Sequence, residues 1–223
     1  MVISLENPTL FYSIDTVLQL ISMLIALLIL GFSYKAYRFT KDKKYYYYSL
    51  AFVLIASAFF IKALSNVIIY YIIPTQAKEL LPIFNLGIFA FRILTLLAFT
   101  GIMLMTLKVS DRKIIALLII FALISAIYSR DHYTAFYLLY SIILGFTTVQ
   151  LYSNYKEKKS RLALATFGIF AILTIAQIIF LGLILDYFLQ TDIGRMFYYV
   201  GQGFQISSYL LLFYVMIRIS SKQ

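Results

Sequence analysis

Two basic residues, Lys62 and Arg92, stand deep inside otherwise apolar stretches of this 223-residue chain. They are the first candidates for chemistry. A basic side chain at the centre of a hydrocarbon layer costs about 2.5–3.5 kcal/mol, so it persists where it is paired, solvated or used. Asn66 lies one helical turn from Lys62 on the same face, and Asn85 lies two turns from Arg92. Gln19, Gln177, Gln202 and Gln205 are intramembrane amides able to join the same layer. Ammonium and guanidinium groups ringed by amides receive anions, so Lys62, Arg92, Asn66, Asn85, Gln177 and Gln205 are the expected ligand-binding set. The alternative is an internal network. In it Lys62 and Arg92 snorkel outward to Asp15 or Asp186, and polar contacts worth about 1 kcal/mol each hold the helices together.

Other chemistry finds few residues to use. The chain has no cysteine and one histidine, His132, which lies between Asp131 and Tyr133 in a short loop. Thiolate chemistry, buried haem ligation and a clustered metal site are therefore not expected, and no cofactor is implied. Lys62 and Ser65 have the i, i+3 spacing of a serine–lysine dyad, a weak signal without further support. No carboxylate is expected beside Lys62 at the midplane, which argues against proton- or sodium-coupled transport. The chain reads as non-enzymatic.

The elements that must position these residues are membrane spans. The composition is 63% hydrophobic and 13% charged, far from the roughly 45–50% and 25% of soluble domains. A span needs about 20 apolar helical residues. Seven runs qualify: Leu10–Tyr37, Tyr46–Ile73, Leu81–Leu107, Ile114–Tyr128, Tyr133–Tyr152, Leu162–Leu185 and Met196–Ile219. The fourth is short, at about 22 Å for its helical rise. Charge placement supports it nonetheless. Of 19 basic residues, 14 fall in the connections after spans one, three and five and in the C-terminal tail. The positive-inside rule then puts the N-terminus outside and the C-terminus in the cytoplasm of a multi-pass cell-membrane protein. The net charge of +10 reflects topology and not nucleic acid. The basic loops are expected to meet anionic lipid headgroups, and a membrane or cytoplasmic protein partner. Tyr45–Tyr48, with Tyr198 and Tyr199 at the other side, read as interfacial aromatic belts.

The chain also repeats itself weakly. Ile29-Leu30-Gly31-Phe32 matches Ile143-Leu144-Gly145-Phe146, Lys41–Lys44 matches Lys156–Lys159, and Phe52 matches Phe167. The implied plan for the single domain 1–223 is three helices (10–107), a linker helix (114–128) and three more (133–219). At the same offset Lys62 corresponds to Gln177. Microbial rhodopsins share this size, but the last span has no lysine to carry retinal. Small sugar transporters and trimeric cation channels share the 3+1+3 order without their signature turns or kinks appearing here. Tyr34-Lys35-Ala36-Tyr37-Arg38-Phe39-Thr40, followed by Leu50-Ala51-Phe52, resembles the first hairpin of archaeal and bacterial seven-helix membrane proteins and sensor-type input modules. That resemblance spans about 20 residues and implies an all-α seven-transmembrane bundle with a sensor-like role.

The expectation is thus a receptor-like module with an outward-opening polar cavity for a small ligand, anions included. A small transporter or channel using the same basic site, or a scaffold subunit of a membrane complex, are the alternatives.

Overall fold

A computed structural model describes residues 8–75, 78–109, 111–128, 133–185 and 191–220. These form seven α-helices: α1 (Pro8–Thr40), α2 (Lys43–Thr75), α3 (Leu81–Thr106), α4 (Arg112–Tyr128), α5 (Tyr133–Lys158), α6 (Arg161–Leu185) and α7 (Asp192–Ser220). A single 3-10 turn, Lys78–Leu80, precedes α3. Pro82 stands in the first turn of α3, where its missing donor costs nothing. All helices but α4 are long and apolar enough to cross a membrane. The protein is a helical, multi-pass membrane protein.

Several helices outrun the apolar stretches that announce them. α1 continues to Thr40, α2 begins at Lys43 and α5 runs to Lys158. Hydrophobicity ends at the lipid boundary, but a helix ends where its backbone finds a cap. At the close of α1, Lys41 turns left-handed (φ 55°) and its amide bonds the Tyr37 carbonyl at 2.8 Å. Asp42 then starts α2, its carboxylate accepting the Lys44 amide at 3.0 Å. The α5–α6 turn is built alike. Lys159 has φ 48°, its amide bonds Tyr155 O at 2.8 Å, and Ser160 accepts the Ala163 amide.

Six helices close a ring: α1 packs on α2, α2 on α3, α3 on α5, α5 on α6, α6 on α7, and α7 on α1. α4 stands outside it, against α3 and sparingly against α5. Exchanging α1–α3 for α5–α7 maps this pattern onto itself. Burial shows a similar correspondence, at a spacing of 118. Ala51, Phe52, Ile55, Ala58 and Phe59 of α2 are buried, and 118 residues later so are Ile169, Phe170, Leu173, Ala176 and Gln177 of α6. The sequence pairing of Lys41 with Lys156 and Phe52 with Phe167 differs from this burial spacing by three residues. Lys41 occupies a turn, whereas Lys156 is still inside α5. Runs of lysine match at any small shift; capped turns do not.

A cavity brings Lys44 and Tyr48 of α2 together with Lys158 of α5 and Met216 of α7. The α1–α2 turn, the α5–α6 turn and the close of α7 therefore share one end, the basic end. α3 and α5 both finish there, so α4 must carry the chain back along the bundle. Its 17 residues reach about 26 Å. Only Ala122 and Ala126 of α4 are buried.

The helix surfaces invert the soluble pattern. On α1 the buried face carries Asp15, Gln19, Ser22, Ala26, Ser33 and Ala36, while Val17, Leu24 and Leu28 face outward. In lipid, apolar residues gain nothing by hiding from one another, so small and polar residues take the helix contacts. α3 approaches α2 at Gly87, where any Cβ would collide with the Ser65 side chain.

Candidate functional site

Asp15 is the centre of the polar cluster at the end opposite the lysines. It lies about 10 Å into α1 at the helical rise and is 2% exposed. Its Oδ1 accepts the Tyr198 hydroxyl at 2.6 Å and Gln19 Nε2 at 2.9 Å. Its Oδ2 accepts Asn66 Nδ2 at 2.8 Å and is 3.6 Å from Lys62 Nζ. Lys62 also donates to the Tyr198 oxygen at 3.3 Å, as does Gln202 Nε2 at 2.9 Å. The ammonium lies 5.3 Å from the centre of the Phe91 ring. A buried carboxylate is tolerable only with its lone pairs met and an opposite charge nearby, and α1, α2 and α7 supply both.

Local spacing builds this arrangement. Asp15 and Gln19 are one turn apart on α1, Lys62 and Asn66 on α2, and Tyr198 and Gln202 on α7. Each helix therefore presents a polar pair on one face, and the three faces converge.

Beside the cluster is a small cavity lined by Gln19, Lys62, Thr95, Gln177, Gln202 and Gln205, among aromatic rings. About 20 Å³ of it is open to the centre of a water molecule, enough for about one water. Gln177 Nε2 donates to Gln205 Oε1 across it at 3.3 Å. No donor among the described residues reaches Gln19 Oε1 or Gln202 Oε1.

Of the six residues expected to bind a ligand, Lys62, Asn66, Gln177 and Gln205 are gathered here. Arg92 is buried, but its guanidinium carbon sits 3.8 Å over the Tyr133 ring at the start of α5, and it does not line the cavity. Asn85 is exposed, one turn inside α3. Its seven-residue spacing puts it on the helical face of Arg92, yet no neighbouring helix covers it. The depth count that left Lys62 without a carboxylate at its level is corrected, and of the two acids named as its alternative partners Asp15 is the one beside it. Depth was counted along each helix from its own end: Asp15 is seven residues from the start of α1 and Lys62 thirteen from the close of α2, and the long lysine side chain reaches across the difference. Asp186 and His132 lie outside the described residues.

Tyr198 is also corrected. It is 7% exposed and belongs to the cluster, not to an interfacial belt. Tyr46 and Tyr47 are exposed as a belt requires, whereas Tyr45 is buried. Tyr198 was missed because its apolar neighbours resemble any interfacial helix start; its i, i+4 relation to Gln202 was the available signal.

Two of the rings that line the cavity, Phe59 and Tyr140, belong to a group of aromatic contacts that continues towards the basic end. Tyr209 meets Phe59 at 5.7 Å and Phe52 at 6.4 Å, and Tyr140 meets Phe99 at 4.9 Å.

No protein-family model matches the chain, and no curated protein or solved structure matches it.

Proposed function

We propose that the chain is a non-enzymatic, seven-span protein of the cell membrane, sensor- or receptor-like, with its N-terminus outside and its basic end in the cytoplasm. The observation that supports this reading is the Asp15–Lys62–Tyr198 cluster. It fastens α7 to α1 and α2 at a seam between two three-helix halves, which the shared burial pattern suggests arose by duplication. Neither charge can stay dry and alone, so the cluster has two stable conditions: paired and closed, or parted and hydrated. An element of that kind can be biased by a small ligand or a proton, and its movement read at the basic end by a partner. The present cavity admits a water but nothing larger, so a ligand enters as the seam parts. The aromatic contacts between the cavity and the basic end support sensing over transport.

Spin labels on exposed Val17 of α1 and Phe197 of α7, in nanodiscs, test the reading. Asp15→Asn is expected to lengthen or broaden the distance between them relative to wild type. An unchanged distribution in both Asp15→Asn and Lys62→Met would reduce the cluster to a fixed brace. A transport reading has one observation in its favour: Thr95, Gln177 and Gln205 continue the polar lining from the ion pair towards the centre. Solute or proton flux through proteoliposomes that Lys62→Met abolishes would establish it instead.

A further inference from the structure

The basic end holds a second and larger cavity, about 270 Å³, close to the lower limit of small-molecule sites at roughly 300 Å³. It opens among the start of α2, the end of α5, the start of α6 and the end of α7. Its rim is polar and cationic. Lys44 stands in the first turn of α2, Lys158 is the last residue of α5, and Ser160 is in the turn that follows. Its deeper wall is aliphatic: Leu151, Leu212 and Val215 lie one to two turns further from the helix ends. The two cavities share no lining residue, so they are distinct sites.

We propose that this cavity binds the phosphate headgroup of an anionic phospholipid, with the proximal part of an acyl chain against the aliphatic wall. Three features select that chemistry. Lys44 is already paired with Asp42 at 3.0 Å, but no carboxylate among the described residues lies within ion-pair distance of Lys158. Lys158 is thus the charge left to neutralise. The first turn of α6, a 25-residue helix, stands at the rim with its Ala163 N–H held by Ser160 Oγ, and the positive end of the helix dipole favours an anion there. A soluble phosphate would use this rim but leave the aliphatic wall bare, whereas a lipid covers both. Basic recesses between spans at the cytoplasmic side are suited to such headgroups.

The test uses the full chain in detergent, with lipid retention read by native mass spectrometry. Wild type is expected to retain phosphatidylglycerol several-fold better than phosphatidylcholine. Lys158→Gln is expected to weaken phosphatidylglycerol retention about fivefold, the loss of one near-surface cation, and Lys158→Arg to preserve it. Lys158 is exposed, so this substitution leaves folding intact. Ala163→Phe, which fills the cavity, is expected to abolish the preference. Equal retention of the two lipids would overturn the proposal. So would a Lys158→Gln variant indistinguishable from wild type, or inorganic phosphate displacing the lipid at equal concentration.

Discussion

The Tyr198 hydroxyl donates to Asp15 Oδ1 at 2.6 Å, joining the last helix to the first across 183 positions of sequence. The same oxygen accepts from Gln202 and Lys62, so one phenol links three helices. Replacing it with Tyr198→Phe removes a donor from a buried carboxylate and an acceptor from two buried donors. The expected loss is about 1–3 kcal/mol of stability, the range for orphaned buried polar groups. Unfolding in mixed micelles by a denaturing detergent measures it, with exposed Tyr214→Phe as the neutral control.

The ion pair itself is expected to be strongly non-additive. Lys62→Met or Asp15→Leu alone leaves an uncompensated buried charge, at a cost of about 3–5 kcal/mol. The double variant Asp15→Leu/Lys62→Met leaves none and should recover most of that loss. A double-mutant cycle reads the coupling directly. If the two single losses simply add, the charges do not interact across their 3.6 Å.

Close helix approach gives a prediction independent of charge. Gly87→Ala forces a methyl into the Ser65 side chain, whose hydroxyl is fixed to the Ile61 carbonyl at 2.8 Å. Overpacking of this kind costs about 1–3 kcal/mol. Ser65→Ala in the same background should return part of it, because the colliding atom is then gone. Thermal unfolding of the single and double variants decides the matter.

At the basic end, Asp42 caps α2. The Lys44 backbone N–H, donating to its carboxylate, holds the Asp42 pKa below the usual carboxylate value. A carboxyl with a depressed folded pKa stabilises above its unfolded pKa of about 3.9, and this is lost as the pH falls through the folded value. Asp42→Ala should therefore cost about 0.5–2 kcal/mol at neutral pH. The difference from wild type should shrink below about pH 4, where the wild-type carboxyl also protonates. The exposed Lys44–Asp42 ion pair adds little to this. Unfolding curves at pH 7 and pH 3 provide the comparison.

Much of the architecture was legible because lipid imposes simple rules. Each long apolar run found in the chain became a helix, since unsatisfied backbone groups are intolerable in hydrocarbon. Lys62, Asn66, Gln177 and Gln205 were legible as buried polar residues for the same reason. Arg92 was legible as buried but not as turned towards Tyr133. Its long side chain reaches a ring that only packing brings near, and no helical spacing encodes that. Asn85 looked equivalent to Asn66 by periodicity, yet one is exposed and the other binds Asp15. Periodicity gives a face and not what lies opposite it.

By itself, then, the sequence determined the helical membrane class, the helices and the residues too polar to face lipid, because each follows from composition and from contacts within a few residues. Only the tertiary structure decided that Asp15 is the counter-charge of Lys62, that Tyr198 is their shared partner, and that buried positions of α2 and α6 stand 118 residues apart. Those facts depend on how far each helix extends beyond its neighbours and on which faces converge. Helix ends are set by backbone caps such as Lys41 and Asp42, and convergence by close approaches such as Gly87 on Ser65. Neither is recorded in the hydrophobic pattern.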